Sequence, residues 1–211
     1  MSQYEELVKM IEQGKLVETQ NLVEALLDQE KSPDEIIQRG IVVALDIVGK
    51  QYSAGECFIP EMLVAARASQ KVLDILSPLL VKTNFKYKGT VVIGTVKGDL
   101  HEIGKNMVAM MLKGTGFYVV DLGFDIAPER FVDALKTENA QILAMSCLLT
   151  TTLISMENTM DALREAGLAG KVKVMIGGPP TTGDFAKKIG ADFRGRDPYE
   201  GVEQAKRFVT Y

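Results

Sequence analysis

Apolar side chains recur at helical spacing through the first part of the chain, from residue 4 to about residue 82. Ser32-Pro33-Asp34-Glu35 indicates a helix start, because serine can cap, proline fits the first turn and Glu35 can close a capping box. Ile59-Pro60-Glu61 indicates another start. Connections between these segments are short, which favours antiparallel neighbours. We therefore predict a small bundle of about four helices.

The pattern changes after a polar linker at residues 83–89. Short β-branched or apolar runs follow, as expected for strands buried on both faces, and helical patterns lie between them. Strict alternation predicts a parallel sheet with right-handed crossovers. The predicted strands are 90–96, 117–123, 141–147, 173–178 and a short 190–196, and the predicted helices are 102–114, 127–138, 152–167, 181–189 and 199–208.

These two patterns divide the chain into a helical-bundle domain, residues 1–88, and an α/β domain, residues 89–211. The 211 residues are 46% hydrophobic and 25% charged, which is ordinary for a globular protein. A net charge of −4 without a basic run disfavours nucleic acid as a partner. No signal peptide or membrane-length apolar run is evident, so we expect a cytoplasmic protein without a membrane partner.

The two cysteines, Cys57 and Cys147, lie 90 positions apart in apolar surroundings. Neither belongs to a CxxC pair, and the chain has one histidine, so a zinc site with four nitrogen or sulfur ligands is excluded. We expect two reduced, buried thiols.

Unusual residues follow three of the predicted strands. Asp99 and His101 follow the first, residues 146–152 the third, and Gly177-Gly178-Pro179-Pro180 the fourth. In an open parallel sheet the carboxyl ends of the strands border the ligand crevice, so these groups are expected to meet there. The first turn lacks both GxGxxG and GK[ST], and no spacing fixes a hydrolytic triad around His101.

These residues resemble the motifs of cobalamin-binding domains. Asp99-Leu100-His101-Glu102-Ile103-Gly104 matches DxHxxG, Ser146-Cys147-Leu148 matches SxL, and Gly177-Gly178 matches GG, in the family's order and spacing. With its helical first part, the chain is similar to the corrinoid proteins of methanol, methylamine, betaine and methoxylated-aromatic methyltransferase systems and to the cobalamin module of methionine synthase. The resemblance implies a four-helix bundle cap followed by a Rossmann-like, flavodoxin-like α/β domain.

The resemblance also implies a set of site residues. His101 would be the metal ligand, binding cobalt from below in place of the corrinoid's own dimethylbenzimidazole, and Asp99 would accept a hydrogen bond from its other ring nitrogen. Thr152 occupies the position of a relay serine, so the predicted catalytic residues are His101, Asp99 and Thr152. Ile103 and Gly104 would contact the cofactor, with Gly104 letting the backbone approach closely.

The displaced nucleotide tail would occupy a slot at the strand ends, with Ser146 hydrogen bonded to its base, Leu148 packed on it, and Gly177 and Gly178 leaving room. In the same resemblance Tyr52 and Ile59 would cap the upper, methyl-bearing face of the corrin. Phe58 and Met62 lie close to them in sequence and would either join the cap or complete the bundle core.

The function implied is methyl carriage on cobalamin or a related corrinoid, as methylcobalamin when loaded. Co(I) would accept the methyl group through a substrate-specific methyltransferase, and methyl-Co(III) would pass it to a methylcorrinoid:acceptor methyltransferase, with a reductive activator as a further partner. The chain would be a carrier rather than a catalyst, since the cofactor supplies the chemistry. The resemblance leaves open the methyl donor, the methyl acceptor and the oligomeric state.

Two alternatives belong to other classes. A cobalamin-dependent sensor or regulator can also join a bundle to this domain, but it normally carries a DNA-binding or other output domain, for which the start of the first helix near Met1 leaves no room. A subunit of an adenosylcobalamin mutase would resemble only the second half of the chain.

Overall fold

The computed structural model describes residues 2–82 and 86–210, so part of the predicted linker, residues 83–85, lies outside the described residues. The first part of the chain is helical, as predicted. Its helices are α1 (Gln3–Glu12), α2 (Leu16–Asp28), α3 (Pro33–Ile36), α4 (Val42–Ala54) and α5 (Ile59–Lys82). Buried side chains that form its core include Leu7, Ile11, Val23, Leu26, Ile36, Ile41, Leu45, Val72 and Leu76.

The predicted start at Ser32 is confirmed, but its capping box is half wrong. The Ser32 hydroxyl accepts a hydrogen bond from the Glu35 amide at 3.1 Å. The Glu35 carboxylate does not complete the box and instead pairs with Arg39, 2.8 Å away and one turn on. A complete box forms at the start of α1, where Ser2 and Glu5 each bond the other's backbone amide. The start at Ile59 is also confirmed.

A π-helical turn, Ile37–Ile41, joins α3 to α4, and the hydrophobic pattern did not predict it. Gly40 lies in this turn, and a Cβ there would lie 2.5 Å from Cδ2 of Leu7. A side chain at this position would therefore displace Leu7, and glycine allows α1 to pack closely against the widened turn.

The second part of the chain alternates strands and helices, as predicted. Within the described residues five strands form one parallel sheet in the order β2-β1-β3-β4-β5. The strands are β1 (Thr90–Thr95), β2 (Tyr118–Asp121), β3 (Ile142–Ser146), β4 (Lys173–Gly177) and β5 (Phe193–Gly195), and the helices are α6 (Ile103–Gly114), α7 (Pro128–Thr137), α8 (Leu153–Glu165), α9 (Gly183–Ile189) and α10 (Pro198–Val209).

The residues of the central strands explain their position in the sheet. β1 and β3 are almost continuously apolar and buried, as strands covered on both faces should be. A core of strand and helix side chains includes Val92, Phe131, Leu143, Met156 and Ile176. The strand order changes direction between β1 and β3, which creates a crevice at their carboxyl ends.

The chain separates into two compact units, residues 1–87 with 110–116 and residues 88–109 with 117–211. The domain boundary at residue 88 stays a prediction. Among the described residues no helix is long and apolar enough to cross a bilayer. Both cysteines are free, as expected, and Cys147 is buried. The expectation that Cys57 is buried is wrong, since its side chain, in the connection between α4 and α5, is only partly covered.

Candidate corrinoid site

The predicted site residues of the α/β unit lie at the carboxyl ends of β1, β3 and β4. Asp99 and His101 lie between β1 and α6, whereas Leu148 and Thr152 follow β3. Thr95, the last residue of β1, is in register with Ser146, and Ser146 is in register with Gly177. The crevice between β1 and β3 therefore brings together residues that are about 50 positions apart in the chain.

Asp99 is the centre of this arrangement, with a side chain that is completely buried. Its Oδ1 accepts hydrogen bonds from the backbone amide of His101 at 3.0 Å and from Nδ1 of the same residue at 2.8 Å. Its Oδ2 accepts from the amides of Leu148 at 2.7 Å and Leu149 at 3.1 Å, and from the Thr152 hydroxyl at 3.0 Å. One carboxylate thus joins the segment after β1 to the segment after β3.

The hydrogen bonds keep Asp99 ionised. Burial alone would raise the pKa of this carboxyl, because a buried charge loses its hydration. Hydrogen bonds from the His101 and Leu148 amides, the His101 ring and the Leu149 amide outweigh that effect and hold the pKa of Asp99 well below its usual range. All of these donors favour the charged form.

His101 contacts Asp99 through its ring nitrogen Nδ1, and 53% of its side chain is exposed. An ionised carboxylate can only accept, so the hydrogen bond to Asp99 places a proton on Nδ1. The neutral ring then carries a lone pair on Nε2, which is the form that binds a metal. The main chain of His101 is also held by β1, because the buried Thr95 hydroxyl donates to the His101 carbonyl at 2.9 Å.

Thr152 is buried and is the last residue of a 3-10 turn, Thr150–Thr152, that leads directly into α8. Its hydroxyl hydrogen has three acceptors in reach, Asp99 Oδ2 at 3.0 Å, the Leu149 carbonyl at 2.9 Å and Cys147 Sγ at 3.5 Å. Charged acceptors form the stronger hydrogen bond, which favours Asp99. Cys147 lies beneath, its thiol donating to the Leu149 carbonyl at 3.2 Å. Burial raises the pKa of that thiol, so it stays protonated.

Gly178 is required by a close approach of two backbones. Its φ is +115°, and a Cβ there would lie 1.8 Å from the Cys147 carbonyl oxygen. Gly177 is less constrained, since its Cβ would meet the Gly195 carbonyl oxygen at an ordinary 3.8 Å. The SxL and GG segments are thus packed main chain against main chain, with Ser146 partly covered beside them.

Several apolar side chains around His101 are exposed rather than packed. Ile103, in the first turn of α6, is 70% exposed, and a Cβ on the neighbouring Gly104 would meet no atom within 4 Å. Leu100 and Leu148 are exposed as well. The segments that carry His101 and Leu148 therefore present apolar surface, with open space at Gly104.

The predicted capping residues belong to the helical unit. Tyr52 lies in α4 and is partly covered, and Ile59 begins α5 and is half exposed. Met62 is buried, as the core alternative expects, whereas Phe58 is 68% exposed and does not complete the core. The capping role of Tyr52 and Ile59 stays a prediction.

Sequence reasoning missed the backbone amides of Leu148 and Leu149 as partners of Asp99. Backbone donors have no residue signature, so only the close register of β1 and β3 could have indicated them. It also missed Asp125, whose carboxylate accepts from the Gly98 amide at 2.8 Å and whose own amide donates to the Asp99 carbonyl at 3.0 Å. Within the described residues no cluster of three or more His, Cys, Asp or Glu side chains could hold a metal ion.

Comparison with known proteins places this geometry in a family. Residues 89–204 match the family described as "B12 binding domain", and residues 3–77 match a second family with the same description. The chain belongs to the B12-binding family. It is 42% identical over 176 residues to trimethylamine corrinoid protein 2 of Methanosarcina mazei, covering 82% of this chain and 81% of that protein.

Two further B12-binding relatives bear on the site. Dimethylamine corrinoid protein 1 of Methanosarcina acetivorans is 39% identical over 182 residues, covering 86% of this chain and 85% of that protein. The solved methanol:cobalamin methyltransferase complex MtaBC of Methanosarcina barkeri contains a chain that is 28% identical, with a TM-score of 0.82, covering 96% of this chain and 78% of that one. The B12-binding family confirms the predicted fold and the corrinoid cofactor.

Proposed function

We propose that this chain carries a methyl group on a corrinoid held by His101, receiving it from a methylamine through a partner methyltransferase. The observation that carries the proposal is the 2.8 Å contact between Nδ1 of His101 and the buried Asp99 carboxylate. This contact fixes the ring tautomer that leaves Nε2 free as a ligand.

The surroundings of His101 fit a large planar cofactor. The exposed Leu100, Ile103 and Leu148 offer apolar surface, and Gly104 leaves open space where a side chain would stand. A corrin ring brings four cobalt ligands of its own, so one histidine is enough. When bound, the corrinoid supplies the methyl-carrying chemistry, and the protein binds, orients and shields it.

Asp99 would hold the imidazole in the form that a metal binds. Its carboxylate would keep the proton on Nδ1 and fix the orientation of the ring, which leaves the Nε2 lone pair available as a ligand. Thr152 supports this role by donating to the opposite oxygen of the carboxylate, 3.0 Å away.

The tail of the corrinoid would enter between the segments after β3 and β4. Ser146 would bond the tail base, Leu148 would pack on it, and Gly177 and Gly178 would leave the room. Tyr52 and Ile59 would cover the opposite face of the ring. The tail assignments rest on the matched motifs and on the register of Ser146 with Gly177, and those of Tyr52 and Ile59 rest on the resemblance of the helical part.

The names of the relatives favour methylamines as donors, since proteins about 40% identical to this chain are trimethylamine and dimethylamine corrinoid proteins. A methyltransferase partner is supported by the MtaBC complex. The same proposal includes a second methyltransferase for the acceptor and a reductive activator as partners. It also includes a cytoplasmic location and a carrier chain that does not itself catalyse the transfer. The relatives favour the carrier over the regulatory alternative.

The single histidine allows a direct test of the ligand. The protein would be produced with 15N-labelled or unlabelled histidine, reconstituted with hydroxocobalamin and reduced to the Co(II) state. Electron paramagnetic resonance should show nitrogen splitting that changes from three lines to two on labelling. His101→Gln is the control and should show no isotope-dependent splitting. A parent protein whose splitting is independent of the label would overturn the assignment of His101.

Donor specificity would be tested with the same reconstituted protein. Trimethylamine, dimethylamine and methanol would each be supplied with a purified methyltransferase for that donor, and methylation of the reduced corrinoid would be followed by absorbance. We expect methylation with one of the methylamines and little with methanol. Methylation with methanol alone would overturn the methylamine proposal and leave the ligand assignment intact.

A further inference from the structure

Lys105 is a buried lysine that the proposed function does not use. Its side chain is 1% exposed, although it lies in the first turn of α6 and four residues after His101. Its Nζ lies 2.6 Å from both carboxylate oxygens of Asp121 and 2.6 Å from the Asn106 side-chain oxygen. The ammonium group therefore has three acceptors for its three hydrogens.

The Lys105 ion pair completes a closed path of contacts that returns to His101. Asp121 ends β2, and its Oδ1 also accepts the Gly123 amide at 2.9 Å. The Gly123 carbonyl accepts the amide of Thr95 at 2.9 Å, and the hydroxyl of Thr95 donates to the His101 carbonyl at 2.9 Å. The path thus holds the His101 segment through the Thr95 hydroxyl and the start of α6 through Lys105.

The opposite face of the same helical turn has no such support. Ile103 is exposed, and a Cβ on Gly104 would meet open space. In the turn 103–106, Lys105 has the buried side chain. The position of this turn relative to β2 therefore depends on the contact between Lys105 and Asp121.

An ion pair in this place is a poor choice for stability alone. Lys105 is removed from water while the Asp121 side chain keeps 28% exposure, so the loss of hydration falls mainly on the ammonium group. The attraction between the two charges often does not recover such a loss, and apolar side chains of similar volume are frequently as stabilising. A hydrogen-bonded pair with two short contacts does restrict the relative position and orientation of its elements more than apolar packing does. Precise placement is what a ligand at the start of α6 needs.

We propose that Lys105 is a positioning residue, whose ion pair with Asp121 holds the start of α6 against β2 and thereby sets the orientation of the His101 imidazole. The consequence for the corrinoid rests on the proposed function, whereas the orientation of the ring is a property of the protein alone. The two can therefore fail separately.

The first measurement uses the cofactor-free protein. With 15N-labelled histidine the ring of His101 gives one pair of nitrogen signals, whose shifts report the tautomer and whose relaxation reports ring order. The variants are Lys105→Met, which leaves Asp121 without its partner, and Lys105→Met/Asp121→Asn, which removes both charges and keeps an acceptor for the Gly123 amide. Asp121→Asn alone is a milder variant that keeps both hydrogen-bonding residues.

We expect the double variant to unfold in urea at nearly the parent concentration while its ring loses the pure Nδ1–H tautomer and becomes more mobile. Asp121→Asn should change the ring signals less. Lys113→Met, in the last turn of α6, is the matched control and should leave the ring signals unchanged. Folded variants whose ring tautomer and order equal those of the parent would overturn the proposal, and Asp121→Asn supplies that comparison even if the Met variants do not fold.

The second measurement uses the reconstituted protein. Loss of a residue that orients a ligand typically weakens binding about 10-fold, so hydroxocobalamin should bind the double variant about 10-fold less tightly. The Co(II) spectrum should show a reduced fraction with histidine splitting. Unchanged affinity and splitting would also overturn the proposal. A parent protein without histidine splitting would instead overturn the proposed function and leave the result on ring orientation standing.

Discussion

The segment after β1 and the segment after β4 border the same crevice and are built in opposite ways. Asp99 accepts five hydrogen bonds among the described residues, so its segment depends on charge and on the atoms that donate to it. Gly178 contributes no side chain and depends on the absence of one, because the Cys147 carbonyl occupies the place of a Cβ. The first segment is sensitive to lost polar atoms and the second to added volume.

Gly178→Ala should have the largest effect on the protein. The new methyl group would overlap the Cys147 carbonyl at a φ of +115°, and neither backbone can move without disturbing β3 or β4. We expect a loss of unfolding free energy on the order of 3 kcal/mol or more, measured by urea unfolding of the cofactor-free protein.

Gly177→Ala is the matched control for this substitution. Its Cβ would be an ordinary 3.8 Å from the Gly195 carbonyl oxygen, so the loss should stay below about 1 kcal/mol. Similar losses for the two alanine variants would show that the close approach at Gly178 is not what limits this segment.

Asp99→Asn should have the next largest effect. Both oxygens of Asp99 face only donors, and an amide nitrogen in either place would oppose another donor. We expect a loss of about 2–3 kcal/mol in unfolding free energy at neutral pH. Because the amide also disturbs the segment after β3, its effect extends beyond tuning of the His101 ring.

The pH dependence of that loss identifies the charge as its cause. The folded protein holds the pKa of Asp99 below its usual range, so its contribution is complete above about pH 4, the ordinary value of an unfolded aspartate, and is lost as the pH falls further. The difference between parent and Asp99→Asn should therefore shrink below about pH 4. A difference that stays constant down to acid unfolding would contradict this origin.

Thr152→Val should have a smaller effect of the same kind. Valine keeps the shape of threonine but removes the hydroxyl that donates to Asp99 at 3.0 Å, which should cost about 1 kcal/mol. Thr152→Ser keeps the hydroxyl and is the control, with most of the stability retained. If serine lost as much stability as valine in urea unfolding, the methyl group rather than the hydrogen bond would be the important part of Thr152.

Ser146→Ala should have the smallest effect on the cofactor-free protein, within about 0.5 kcal/mol, since a partly covered hydroxyl is removed without adding volume. Its effect should appear only on titration with corrinoid, where binding of cobalamin should weaken several-fold more than binding of a corrinoid that lacks the nucleotide tail. Equal weakening for both would contradict a contact between Ser146 and the tail.

Much of the α/β unit follows from local pattern, because strands covered on both faces and amphipathic helices have distinct periods. β1, β3 and β4 lie within one or two residues of their predicted ranges. Three helices begin with a proline, at Pro33, Pro128 and Pro198, and the first turn of a helix is the position that proline prefers. The π-helical turn at Ile37–Ile41 was not predictable, because it leaves the spacing of apolar residues helical.

The site was predictable only where side-chain type carries the information. Asp99 and His101 are recognisable by residue and spacing, and their contact is local. The Leu148 and Leu149 amides act through the main chain, and Lys105 reaches Asp121 across 16 positions. Contacts of this kind depend on how the elements pack, which the order of residues along one element does not contain.

The Asp99 carboxylate is one delocalised anion shared by two loops. Oδ1 accepts two hydrogen bonds from His101, and Oδ2 accepts three from Leu148, Leu149 and Thr152. Loss of a donor at one oxygen changes the charge that the other oxygen offers to its own donors. The two loops are therefore coupled electrostatically through a single carboxylate, without any movement of the main chain.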